Sequence, residues 1–468
     1  MLKFNRLDKN VKILKDFMPL ASTKFCDLSL GTKYIWRNTF LIDYAIFDDT
    51  LILKESCEDY KNAFYFPLGK NVEGALLEIE NYTKQNNLPL KFCYIDNQTA
   101  NFLSTRYNNV EIYSLRDWND YFYDIEKFKT YSGKKYNGQR NHVNKFKKLY
   151  PNYSVREIEN KDFPLIEEFL MDFYKGITSS LWTAVEEQKN VLDYIKNAKS
   201  IDQLSLLLEV DNKIIGISLG EIVGDTLIVH VEKANTSYSG VYPLLASEFV
   251  KKYASSGIKF LNREEDCGDM GLRISKLQYN PISIIEKNIV NVKTKFDEIT
   301  ENIFIKTERL TISDITDKDK TQYYNLYIDD ELNKWWGYDY REDIKGIPSK
   351  DDFILLAKSL KDKKEEYSLA VRLDGVMIGE LVLHNFDYYG NVEMGFRFLK
   401  DYQKNGYATE SATALKEYVF NVLKAKGLRS RCFHQNKASN NLITRLSLQL
   451  EREDLTHKYF YLKNPCLS

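Results

Sequence analysis

Residues 391–412, NVEMGFRFLKDYQKNGYATESA, constrain the fold more than any other stretch of the chain. Val392, Met394, Phe396 and Phe398 alternate with Glu393, Gly395 and Arg397, the period of a strand with one buried face. The strand runs into a basic turn around Gly406, and a helix opens at Ala408. A helix start leaves backbone N–H groups unpaired at the positive end of its dipole. Gln403, Lys404, Asn405, Gly406, Tyr407, Ala408 and Thr409 therefore sit where amides can wrap a diphosphate, and Gly406 and Ala408 are small enough to let one approach. Gly395 suits a bulge that splays the strand from its neighbour.

A strand able to pair with an extended ligand arm, followed by such a turn, suits coenzyme A better than a nucleoside triphosphate; no GxxxxGK[ST] or GxGxxG is present. Gln403-Lys404-Asn405-Gly406-Tyr407-Ala408 resembles motif A of the GNAT acyltransferases. Glu308-Arg309-Leu310-Thr311-Ile312 resembles the opening of the ribosomal-protein type of these N-acetyltransferases. Gly379-Glu380, Val392-Glu393-Met394-Gly395 and Asn436-Lys437-Ala438-Ser439 fit later segments, so the resemblance spans residues 305–462.

The resemblance implies direct attack of a primary amine on acetyl-CoA, with a small molecule or a peptide as acceptor. Phe398, Leu399 and residues 403–409 would hold the cofactor and Asn436 its pantetheine arm, with a strand amide near Phe398 facing the oxyanion. Glu393 and Glu380 are the candidate bases; each reads equally as an ordinary strand carboxylate. Trp335, Trp336, Tyr338 and Tyr340 fall where acceptor loops lie, and Ser439 is expected to cap the last helix. The ending Arg445-Leu446-Ser447-Leu448 departs from the family's pattern, which carries a glycine there.

A chain of 468 residues exceeds what one core organises, so two or three domains are expected. The net charge of -1 argues against bulk nucleic-acid binding. Six scattered cysteines with no CxxC read as reduced thiols, and five dispersed histidines without HExxH disfavour metal catalysis. The N-terminus lacks an apolar signal core, and no apolar run approaches the roughly 18 residues of a membrane span, so a cytoplasmic protein is expected.

The order seen near the C-terminus also occurs earlier. Leu204–Val210, a turn at Asp211-Asn212, Lys213–Leu219 and Asp225–Val231 precede a turn ending at Gly240 and a helix from Val241. Ser368–Leu373, Asp374-Gly375, Val376–His384 and Asn391–Phe398 precede Gly406 in the same way. The turn glycines lie 166 positions apart and the hairpin turns 163. Residues 1–125 alternate strands (Tyr44–Ile46, Thr50–Leu53, Ala63–Pro67, Lys91–Ile95) with helices such as Val72–Gln85. The fold class expected is α/β, three tandem GNAT-type folds: 1–128, 129–292 and 305–468, with 293–304, mostly polar, as linker.

Residues 129–150 form a basic helix with no acid between Lys129 and Tyr150. Together with Arg140-Asn141-His142, Val231-Glu232-Lys233-Ala234, Asn262-Arg263-Glu264-Glu265-Asp266, Arg273 and Lys276, residues 1–292 resemble soluble relatives of the phosphatidylglycerol lysyltransferase catalytic domain, a tandem pair of GNAT folds. That resemblance implies an aminoacyl-tRNA partner and a substrate site using Arg140, Glu232, Lys233, Arg263, Glu264, Asp266 and Arg273. Arg263, Arg273 and Lys276 suit phosphate or carboxylate, and Glu232, Glu264 and Asp266 an amine; a buried ion-pair network explains them equally. The functional expectation is a CoA-dependent N-acyltransferase in residues 305–468. The alternatives are a tRNA-dependent aminoacyltransferase in residues 1–292 and a catalytically inactive CoA- or metabolite-sensing module.

Overall fold

The computed structural model describes residues 2–21, 24–57, 60–175 and 181–467. Three mixed sheets organise the chain. Two compact units contain them: residues 1–101 with 112–291, and residues 102–111 with 292–468. Among the described residues no helix is long and apolar enough to cross a membrane.

Each sheet is seeded by a tight hairpin. Asp48-Asp49, Asp211-Asn212 and Asp374-Gly375 all hold positive φ at both central positions, the geometry that matches strand twist, and they recur every 163 residues. In the first sheet Asp43–Phe47 and Thr50–Glu55 form that hairpin. Ala63–Phe64 then pairs with the second arm and runs parallel to Leu90–Ile95 across the helix Val72–Gln85. In the second sheet Leu204–Val210, Lys213–Val223 and Thr226–Ala234 lead through the helix Val241–Tyr253 to the parallel strand Phe260–Asn262. The last sheet repeats this with Glu366–Leu373, Val376–His384, Asn391–Phe398, the helix Tyr407–Asn421 and Gly427–Phe433. These are three tandem GNAT-type folds.

The first two folds exchange strands. Asp120–Asp124 enters the second sheet between Phe260–Asn262 and Ser283–Ile285, and Asn288–Lys293 returns to the first sheet beside Leu90–Ile95. The Leu7–Phe25 region, the helices Phe163–Lys175 and Trp182–Asn197, and Ile217 and Leu219 of the second sheet share one apolar core. At about 25 cal/mol per Å2 of apolar area removed from water, a core of this extent holds both folds in one body.

Local expectations differ from the structure in three places: the basic stretch, residues 293–304 and the cap of the last helix. The basic stretch is not one helix: Tyr131 and Gly133 take positive φ, separating Ile125–Thr130 from Asn137–Leu149. Leu149 is half exposed, whereas Tyr136, Val143 and Phe146 are buried. The helix Tyr407–Asn421 buries Ala412, Leu415 and Val419, and Val422, just beyond its end, is exposed. Residues 293–304 carry a short turn, Lys295–Glu298, whose Phe296 packs with Ile303 in the core of the last sheet. The last helix is capped by Asn436, whose side chain accepts from the Ser439 N–H at 3.1 Å. Ser447, where the resemblance placed a glycine, itself holds φ +70° and preserves that turn.

Candidate functional site

The strand Asn391–Phe398 stays paired with Val376–His384 along its length, from His384↔Glu393 to Gly379↔Phe398. On its other side it meets Gly427–Phe433 for only three residues, Asn391 to Glu393. Beyond Glu393 the two parallel strands part, bridged by the Ser430 hydroxyl donating to the Met394 carbonyl at 2.9 Å. Parted strands leave main-chain groups from Gly395 onward free to pair with an extended ligand.

At the end of this strand Phe398 packs its ring on Gly379, the Leu399 N–H donates to the Ile378 carbonyl, and the Gln403 side chain donates back to the Phe398 carbonyl. The turn then opens. Among the described residues no acceptor pairs with the N–H groups of Lys404, Asn405, Gly406, Tyr407, Ala408 or Thr409; the first amide of the helix to find one is Glu410, on the Gly406 carbonyl. Gly406 holds φ +83°, and a Cβ there would meet only the Arg309 guanidinium at 3.3 Å. Arg309 is steered to the turn by Glu410, at 2.7 Å, and by the Tyr407 ring. Free amides at the start of a 15-residue helix, with an arginine beside them, are suited to an anion. Asn436 spends its side-chain oxygen on its helix cap.

The equivalent turn of the second fold is built differently. A Cβ on Gly240 would lie 2.3 Å from the His142 carbonyl oxygen, so the basic helix lies against that glycine. Beside it a cavity of about 490 Å3 is lined by Lys135, Gln139, His142, Tyr238, Tyr242 and Tyr279, among others.

On the face of the last sheet away from the helix Tyr407–Asn421, polar groups form two rows. Glu380 is fully buried, bound by the Arg397 Nε at 2.7 Å and the Tyr323 hydroxyl at 2.8 Å. Arg397 lies over the Tyr327 and Trp336 rings and donates to Asn333, and its Nη2 has no partner among the described residues. The second row crosses three neighbouring strands, where Glu366 faces His384 and His384 faces Glu393. Glu393 accepts from Asn385 at 2.9 Å and lies 3.4 Å from Arg431. Trp336 covers Gly395, and Trp335 packs on Phe433, whose ring meets His457 at a tilt. Burial, reinforced by Glu380, pushes Glu366 up to about 7. Burial also lowers His384, against the pull of Glu393. Glu366 and His384 escaped sequence reasoning because only cross-strand register brings them beside Glu393.

The residues expected to form a site in the first unit divide among several partners. Arg263 binds Glu232 at 2.6 Å over the Tyr279 ring, with its Nη1 unpartnered among the described residues. Lys233, on the opposite face, binds Glu187. Arg273 grips Asp266 and Asp117, and Arg140 is held by the Tyr131 and Gly133 carbonyls. Glu264 binds His230 at 2.7 Å; His230, wholly buried, also reaches Glu221 at 3.0 Å, and Glu221 accepts from the Gly31 N–H. Burial works against a charged His230, but the two carboxylates raise it to about 9.

Next to this group, Lys287 reaches Asp27 at 2.5 Å, Asp120 at 2.7 Å and Glu265 at 3.4 Å, with the Cys26 sulfur at 3.3 Å. Cys26, Asp120 and Glu265 have the spacing of a metal-ligand set, and the Lys287 ammonium supplies positive charge among them. Burial raises Asp27 and lifts Glu265 to about 7. These residues come from distant segments, so no sequence spacing announced them.

A family model for the C-terminal part of phosphatidylglycerol lysyltransferase matches residues 20–290, and an acetyltransferase (GNAT) domain model matches residues 309–449. The uncharacterised N-acetyltransferase YoaA of Bacillus subtilis (strain 168) is 24% identical over 160 residues, 34% of this chain and 88% of that protein. The uncharacterised protein MYCGA3080 of Mycoplasmoides gallisepticum is 26% identical over 208 residues, 43% of this chain and 66% of that one. A conserved protein of unknown function from Bacteroides thetaiotaomicron aligns with TM-score 0.58 and 25% identity, covering 63% of this chain and all of its own. The chain is an acyltransferase with a GNAT domain in its C-terminal third, and it belongs to the phosphatidylglycerol lysyltransferase C-terminal family.

Proposed function

We propose that the last fold transfers an acetyl group from acetyl-CoA to a primary amine by direct attack. The carrying observation is the run of unpaired amides from Lys404 to Thr409 at the mouth of the parted strands. Phe398, Leu399, Gln403 and residues 404–409 would hold the cofactor, which supplies an activated acetyl thioester. Arg309 adds a cation that the sequence reading did not include.

On the acceptor side Trp335 and Trp336 wall the approach, and Glu393 faces it with its charge only partly neutralised by Arg431. Glu380 is held against Arg397, which favours a role in positioning that arginine over proton transfer. Calorimetric titration of the full chain with CoA and acetyl-CoA tests this reading. Saturable binding weakened by high salt supports it, and absence of binding rejects it.

A second reading concerns the first unit, where family membership favours an aminoacyl-tRNA partner. It draws on the cavity beside Gly240 and on Lys134, Lys135, Lys145 and Lys148, for which no carboxylate partner is present among the described residues. Gel-shift titration of the full chain with aminoacyl-tRNA, against a charge-reversed Lys134→Glu/Lys135→Glu variant, tests it. Equal binding by both proteins would reject it.

A further inference from the structure

His384 stands at the centre of the three-strand row, opposite Glu366 on one neighbouring strand and Glu393 on the other. Its Nε2 lies 3.8 Å from the Glu393 carboxylate, too far for a direct hydrogen bond and close enough for charge attraction. The same nitrogen would be 3.9 Å from a side chain at Gly395, two residues past Glu393, where the parallel strands part. Gly395 adds no side chain between His384 and the parted strands, and Trp336 covers that position at 3.2 Å. The imidazole is about one-fifth exposed, so it is reachable.

Each charged group around it has a separate task. Glu393 is divided between Asn385, Arg431 and His384. Glu366 accepts from Ser368, and Tyr338 and Arg397 lie within its electrostatic reach. Glu380 is committed to Arg397 and Tyr323. His457 feels both Arg431 and Glu393 from the adjoining strand. His384 is the ring of this row that makes no hydrogen bond among the described residues, with Glu393 drawing a proton toward it and Arg431 opposing.

We propose that His384 takes the proton from the acceptor ammonium, with Glu393 drawing that cation beneath Trp336. The inference rests on the acyl-transfer reading of the last fold and deepens it. The acceptor reaches the site as R–NH3+. One proton passes to the free imidazole nitrogen and on to solvent along the Glu393 edge. The amine nitrogen then forms the amide bond as the thioester C–S bond breaks, and its second proton leaves on the departing thiol. Burial keeps the imidazole neutral near pH 7, the form that can accept.

The test uses nuclear magnetic resonance of the full chain, with His384 assigned by a His384→Gln variant. CoA is titrated first; spermine, lysine and a tripeptide with a free N-terminus are then added singly to the CoA-loaded protein. The expected result is a neutral His384 ring at pH 7 whose signals move with at least one amine. Glu393→Gln should abolish that response while leaving CoA affinity within about twofold. For any amine that turns over, His384→Gln should lower kcat at least tenfold and remove the acidic limb of the pH profile, and added imidazole should restore part of the rate. A ring protonated at pH 7, or signals untouched by all three amines in protein that binds CoA, would overturn this inference alone. Failure to bind CoA would overturn the acyl-transfer reading and this inference with it.

Discussion

Replacing Gly406 by aspartate separates ligand binding from folding. The residue caps the helix Tyr407–Asn421 with φ +83°, and a new Cβ meets nothing nearer than the far end of Arg309 at 3.3 Å. A left-handed conformation costs a non-glycine residue about 1–2 kcal/mol, less for aspartate, and an aspartate N-cap returns about 1 kcal/mol by accepting a helix N–H. Stability should therefore change by no more than about 1 kcal/mol. The ligand meets a harsher change, because the carboxylate competes for the same amides and adds a negative charge. At roughly 5 Å and an effective dielectric of about 20, one pair of like charges costs about 3 kcal/mol, or about a hundredfold in affinity.

Calorimetry with CoA, beside thermal melts of the same samples, reads both quantities. Gly240→Asp is the companion, since its Cβ would lie 2.3 Å from the His142 backbone oxygen; it should unfold the first unit at lower temperature and leave CoA affinity alone. Wild-type CoA affinity in Gly406→Asp would refute the anion-cradle reasoning, because no other role of that glycine is blocked by aspartate.

Other expectations concern buried charge. Arg397→Met leaves Glu380 unpaired and should cost about 3–5 kcal/mol in urea titration, most of it recovered by adding Glu380→Gln; no recovery would contradict the ion pair as the reason for their pairing. Lys287→Met strands Asp27, Asp120 and Glu265 and should destabilise the first unit by a similar amount, with partial rescue by Asp27→Asn. His230 rises from 6.5 to about 9 on folding, so its contribution is complete below pH 6.5 and disappears as pH climbs through 9. Because Glu265, at about 7, has finished titrating by pH 8, urea midpoints between pH 8 and 9.5 should fall in the native chain and stay flatter in His230→Gln. The full His230 effect is about 3 kcal/mol.

Period and turn chemistry made the architecture legible. Val392 to Phe398 alternates cleanly, and paired turn residues at Asp211-Asn212 and Asp374-Gly375 marked hairpins that the structure contains. The break in the basic stretch was harder to read, since Tyr131 takes a left-handed conformation that its residue type does not advertise. Glu393 was visible as a strand carboxylate, but its neighbours His384 and Glu366 depend on register between strands, which a one-residue slip would change. The Lys287 cluster draws on segments near residues 26, 120, 265 and 287, and linear spacing holds no trace of such a convergence.

The strand exchange has a consequence for biosynthesis. Leu90–Ile95 leaves the ribosome long before Asn288–Lys293, the partner that covers its edge. At about 5–20 residues per second the interval is roughly 10–40 s, during which the nascent amino-terminal sheet carries a bare apolar border. Maturation of the first fold is thus timed by translation of the second, and chaperone demand should peak in that window.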